Sequence, residues 1–144
     1  MSFEPRDPDY ARRVRECFDA QPVMATLGAA LDEVAPGRCS ITLAWRQDIT
    51  QQDGFLHAGV LATLADSACG FAAFSLMPAD ARVLSIEFKI NMLSPAVGPR
   101  FLARGEVIRA GRNITACRGE VFAVDENATK AVAAMQATMM TVRG

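Results

Sequence analysis

The chain is poor in the groups that metal centres and nucleic-acid surfaces use. It holds one histidine, and its four cysteines (Cys17, Cys39, Cys69 and Cys117) lie far apart with no C-x-x-C spacing. That is a thin donor set for a metal, so none is expected. The formal net charge is −1, and no basic stripe with interleaved aromatics appears. This argues against nucleic acid or an anionic membrane as the main partner. Residues 1–20 carry mixed charge and no cationic start leading into an apolar stretch, so no signal peptide is read there. The cysteines read as buried, reduced thiols of a cytoplasmic protein.

Apolar residues are plentiful, at 51% of 144, enough for the core of one domain spanning 1–144. Their densest run is His57 to Met77, HAGVLATLADSACGFAAFSLM, whose only acid is Asp66. No Lys or Arg lies in that run to pair with it. An unpaired ionised carboxylate in apolar surroundings costs several kcal/mol or more, so such groups are neutralised, paired or functional. The run is long enough to span a bilayer, but Asp66 would sit near the middle and Ala and Gly outnumber Leu and Ile. A buried core helix is the simpler reading.

Around this helix the spacing predicts strands. Residues 1–28 form an N-terminal helical segment, with a helix over 8–20 capped by Asp7 and a short turn from Pro22 to Gly28. Residues 29–35 and 38–46 pair around Pro36-Gly37, with Ile41, Leu43 and Trp45 on one face. A polar loop covers 47–56. In Ala81–Leu93, Leu84, Ile86, Phe88, Ile90 and Met92 alternate with Ser85, Glu87, Lys89 and Asn91. The apolar set is expected to pack on the helix. Strands over 100–110, 113–124 and 130–142 follow. The result is an α+β fold: one long buried helix wrapped by a curved antiparallel sheet of about six strands, with an extra N-terminal helix. One sheet cannot cover such a helix alone, which predicts dimerisation.

The junction Gln51-Gln52-Asp53-Gly54-Phe55-Leu56-His57-Ala58-Gly59 leads into the helix. First-turn N–H groups have no intrahelical acceptor and carry partial positive charge. Small residues at Ala58 and Gly59 let a polarised carbonyl approach them. Asp66 follows His57 by nine residues, two and a half turns and roughly 13 Å away on the opposite side. If both belong to one site, that site needs two chains related by a twofold axis.

The run GFLHAGVLATLADSA followed by SIEFKINMLSPA resembles the hotdog-fold thioesterases of the phenylacetate-degradation type. The resemblance implies hydrolysis of an acyl-coenzyme A thioester without metal or cofactor, in dimers or dimers of dimers. It assigns Asp66 as nucleophile or general base and the Ala58 N–H as the oxyanion donor. Gln51 would help hold the thioester or water, His57 would orient the site, and Ser85 would position the water. Ala58 stands where that family usually has Gly, which leaves the N–H in place. Gly59, Ser67 and Arg112 are further substrate-contact candidates, Arg112 through its fit to phosphate.

Blander readings stand beside these. Asp66 can be a buried acid capped by Thr63 or Ser67, His57 a structural N-terminal residue, and Arg112 a solvated hairpin tip. Phe55, Phe71, Phe74, Phe88 and Met92 suit a pocket or a core. Alternative functions are a hydratase or dehydratase on the same fold and a non-catalytic acyl-CoA-binding or sensing protein.

Overall fold

In the computed structural model, which describes residues 2–144, two short helices come first: α1 (Tyr10–Asp19) and α2 (Pro22–Leu27). The first starts at Tyr10 rather than residue 8. The Asp7 carboxylate folds back to accept the Asp9 N–H at 2.9 Å, an aspartate turn that delays the helix. Pro22 opens α2, and Gly28 closes it at φ 74°, the left-handed conformation a glycine tolerates best.

Strands β1 (Ala30–Ala35) and β2 (Arg38–Ala44) form the first hairpin. Ile41 and Leu43 are buried, whereas Trp45 falls beyond the strand end and is half-exposed. A short 3-10 turn, Gln47–Ile49, lies in the polar loop. The long helix α3 runs Ala58–Phe74, and β3 (Ala81–Met92), β4 (Arg100–Ala110), β5 (Ile114–Val124) and β6 (Thr129–Arg143) complete the chain. All neighbours are antiparallel in one six-stranded sheet of order β1-β2-β4-β5-β6-β3. The sheet curves around α3, as the sequence predicts.

Close contact between helix and sheet explains the small residues. Gly105 and Gly119 face each other across β4 and β5. A methyl group on Gly105 would lie 2.4 Å from the Ala68 carbonyl, and one on Gly119 would lie 2.9 Å from Cys69 Sγ. The helix answers with Ala65, Ala68, Cys69 and Ala72, all buried. Its far end is held by Arg13, whose guanidinium donates to the carbonyls of Phe74, Met77 and Pro78. The same group sits 4.4 Å over the Phe74 ring and meets Asp7 at 3.4 Å. A partly buried cation is thus matched to the negative end of the helix.

Strand β3 departs from the expected alternation. Its register with β6 shifts between Ser85 and Glu87, leaving Ile86 as a bulge. Before the bulge, Ser85 pairs with buried Met139 and faces the helix, while Leu84 pairs with half-exposed Met140 on the outer side. After it, Phe88, Ile90 and Met92 pair with buried Ala137, Met135 and Ala133 and take the inner face. One extra residue moves every later side chain to the opposite face. The apolar set therefore does not pack on the helix as one row. Leu84, Ile86, Phe88 and Met92 remain 58%, 50%, 43% and 44% exposed. No described helix is long and apolar enough to cross a membrane.

Candidate active site

The bulge in β3 brings Ser85 to Asp66. The Ser85 hydroxyl donates to Asp66 Oδ1 at 2.6 Å, and Met139 Sδ lies 3.3 Å from Ser85 Oγ. Neither suggested cap does this work: Thr63 donates to the Gly59 carbonyl at 2.8 Å, and Ser67 is buried with the core side of the helix. Asp66 itself is half-buried rather than enclosed. It lies on a stripe with Gly59, Ala62 and Thr63, at three- and four-residue spacing, that leaves one face of α3 uncovered over its first two turns. From Ser67 to Phe74 every residue is buried. Apolar on all sides therefore describes the second half of the helix and not the first.

At the start of α3, His57 occupies the N-cap with φ −62° and ψ 138°, and its Nδ1 accepts the Gly59 N–H at 2.8 Å. That bond places the ring proton of neutral His57 on Nε2. The His57 carbonyl takes the N–H groups of Val60 and Leu61. Of the first-turn donors, the Ala58 N–H has no acceptor among the described residues. It points its partial positive charge outward, at an exposed residue.

Gln51 stands beside it. Its Oε1 accepts the N–H groups of Asp53 and Phe55, which ties the side chain to its own loop. Its Nε2 has no partner among the described residues and is free to donate. Gln51 and Ala58 line one cleft of about 360 Å³, walled by Phe55, Leu61, Met92 and Pro95, within the range of small-molecule sites.

The match of known sequences to this chain runs through these elements: the pattern of the thioesterase superfamily covers residues 53–130, more than half of the chain. The chain belongs to the thioesterase superfamily. A thioesterase family protein of Silicibacter pomeroyi, known from its crystal structure, is 49% identical, with a TM-score of 0.92 over 94% of this chain and 99% of that one. The E. coli PaaI protein from the phenylacetic acid degradation operon shares the fold at 18% identity, with a TM-score of 0.84 over 94% and 95% of the two chains. The 1,4-dihydroxy-2-naphthoyl-CoA hydrolase of Listeria monocytogenes is 27% identical over 88 residues, 61% of this chain and 72% of that protein. The fold of this superfamily member is the hotdog fold that the sequence motifs imply.

Within one chain of this thioesterase the two halves stay apart. Ala58, Gln51 and His57 gather at the N-terminus of α3. Asp66 and Ser85 meet two turns further along. Arg112 lies at the far end of the helix, in a small cleft of about 130 Å³ that also touches Leu76 and Met77. A larger cleft of about 540 Å³ between Phe3 and Arg118 touches none of the candidate residues. Phe71 and Phe74 are core, while Phe55 and Met92 line the cleft at Ala58.

The three buried thiols offer no rival nucleophile. Burial pushes Cys39 and Cys117 up to about 12. Cys69 is driven up as well, chiefly by burial, with added repulsion from Cys117 and Asp66. All three stay protonated and inert near neutral pH. Leu61, Leu93 and Ser94 are cleft residues that sequence reasoning missed, because nothing in their spacing separates a cleft wall from a core position.

Proposed function

We propose that this thioester hydrolase acts on acyl-coenzyme A, with each site built from two chains. The observation that carries this is the unpartnered Ala58 N–H beside the free Gln51 amide, set roughly two turns from a Ser85-bound carboxylate on the same helix. One chain holds donors for a thioester oxygen and, out of their reach, a base.

A twofold axis crossing the uncovered stripe of α3 at right angles, so that the two copies of the helix run antiparallel, would bring Asp66 of one chain to Ala58 of the other. Support comes from the sheet edge. Strand β3 is a 12-residue edge with exposed Leu84, Ile86, Phe88 and Met92, the kind of long apolar edge that proteins cover. Pairing there would bury the edge and the stripe together.

In the reaction, the thioester carbonyl accepts from Ala58 N–H and Gln51 Nε2. Asp66 either takes a proton from water, so that hydroxide attacks the carbonyl carbon, or attacks that carbon itself. Negative charge moves to the carbonyl oxygen, where the helix terminus stabilises it. The carbon–sulfur bond then breaks and coenzyme A leaves as a thiolate, which needs no strong acid; on the route of direct attack, water then cleaves the acyl–aspartyl anhydride, releasing the acid and restoring the Asp66 carboxylate. Ser85 holds Oδ1 of Asp66 and leaves Oδ2 free for the proton. His57 acts through the helix cap, fixing the turn that presents Ala58.

The test is thiol release from a panel of aromatic and straight-chain acyl-CoA esters. Stoichiometric free coenzyme A and acid are expected from at least one of them. Tight binding without thiol release would turn the reading to a non-catalytic acyl-CoA-binding protein.

A further inference from the structure

We infer that the acyl end of the substrate passes over Phe55 into a second cleft and lies against Trp45, so that Trp45 and Val97 measure its length. This rests on the acyl-CoA hydrolase reading above. The second cleft, about 620 Å³, lies on the other side of the 51–56 loop, between Trp45, Gly54, Val97 and Pro99. Phe55 lines both clefts, so a chain leaving the carbonyl site at Ala58 reaches the second by crossing that ring.

Trp45 is built into the wall. Its backbone N–H donates to the Pro99 carbonyl at 2.9 Å, and its indole Nε1 donates to the Gly54 carbonyl at 3.2 Å. With its polar tip satisfied, the 40% of Trp45 that stays exposed offers an apolar face. Val97, 62% exposed, stands at the cleft's rim.

Charge decides which end of the substrate enters. Among the described residues, the only ionisable one lining the second cleft is Asp53; no Lys or Arg lines it. The nucleotide end of coenzyme A carries phosphates, which favour Arg and Lys and are repelled by a carboxylate. An acyl tail that is apolar and uncharged meets neither objection. A short acyl group is housed in the first cleft alone, whereas a medium-length chain reaches Trp45. Selectivity for longer apolar acyl groups follows, as does rejection of acyl groups ending in a carboxylate.

Trp45 is the only tryptophan, so its fluorescence reports this cleft directly. The protein carrying Asp66→Asn, titrated with decanoyl-CoA, should show a saturable change in Trp45 emission. Butanoyl-CoA and free coenzyme A should leave it unaltered. Val97→Phe, a change at an exposed position, should weaken decanoyl-CoA binding and lower the decanoyl-to-butanoyl ratio of kcat/KM, each at least about ten-fold. An equal response to free coenzyme A would give the cleft to the nucleotide end and overturn the proposal. So would no response to decanoyl-CoA, or an unchanged ratio in Val97→Phe. Absence of thiol release from every ester would instead refute the hydrolase reading, and the titration would still decide what occupies the cleft.

Discussion

Ser85 and Asp66 are joined by a 2.6 Å hydrogen bond between an edge strand and the half-buried face of the central helix. One lone pair direction of the carboxylate is thereby fixed, and its other oxygen accepts no hydrogen bond from the described residues. Replacing Asp66 with Asn keeps the size and the Ser85 contact and removes the proposed base. Turnover in a thiol-release assay should fall by about 10²–10⁴-fold or more, with the elution volume on size exclusion unchanged. Ser85→Ala should give a smaller loss, in kcat rather than KM, because it frees the carboxylate without removing it.

His57 tests cap against chemistry. Its ring nitrogen serves as the N-cap acceptor for Gly59, a role that Asn performs well. His57→Ala should cost about 1 kcal/mol of stability and most of the activity. His57→Asn should restore the stability and a large part of the rate. A His57→Asn enzyme as inactive as His57→Ala would show that the imidazole does more than hold the turn.

Two glycines predict opposite signs. Gly105→Ala puts a methyl 2.4 Å from the Ala68 carbonyl carbon and oxygen, a backbone clash that a side-chain rotation cannot relieve. Denaturant melts should show a loss of about 3 kcal/mol or more. A methyl on Gly70, inside α3, meets nothing within 4 Å. Gly70→Ala should therefore stabilise by about 0.5–1 kcal/mol through helix propensity.

Only Cys17 of the four thiols is exposed. A chromogenic disulfide reagent near neutral pH should titrate one fast thiol per native chain and four in denaturant. The pH dependence has a definite sign. Cys39 and Cys117 ionise near 9 when unfolded and near 12 when folded. Below 9 the thiols are protonated in both states and contribute no slope. Above it the unfolded chain sheds protons that the folded chain keeps, so stability falls as pH rises.

Much of this architecture is legible in the residues. The apolar run 57–77 marks the helix, Pro36-Gly37 and Gly111-Arg112 mark hairpins, and Asp66 stands out as the lone acid. What stays hidden has physical causes. The bulge at Ile86 carries no Gly or Pro to announce it, so strict alternation puts Ser85 on the wrong face and buries a row of side chains that is in fact split between two faces. The Gly105–Gly119 pair becomes meaningful only when β4 and β5 are in register under α3. Arg13 caps a helix more than sixty residues away, a contact that no local pattern encodes. Gln51 and Ala58, singled out by position, line one cleft, but the freedom of their N–H groups depends on where the neighbouring donors go.

Complementation between two crippled chains tests the shared site most directly. Ala58→Pro deletes the proposed oxyanion donor at the first helical position, where proline is well tolerated, after a His57 already in extended conformation. Asp66→Asn deletes the proposed base. Each homo-oligomer should be nearly inactive. Co-expressed with separate tags, the two should recover about a quarter of wild-type turnover, since half of randomly paired dimers are mixed and each holds one intact site of two. Mixed oligomers isolated through both tags and no more active than either parent would contradict a site built from two chains.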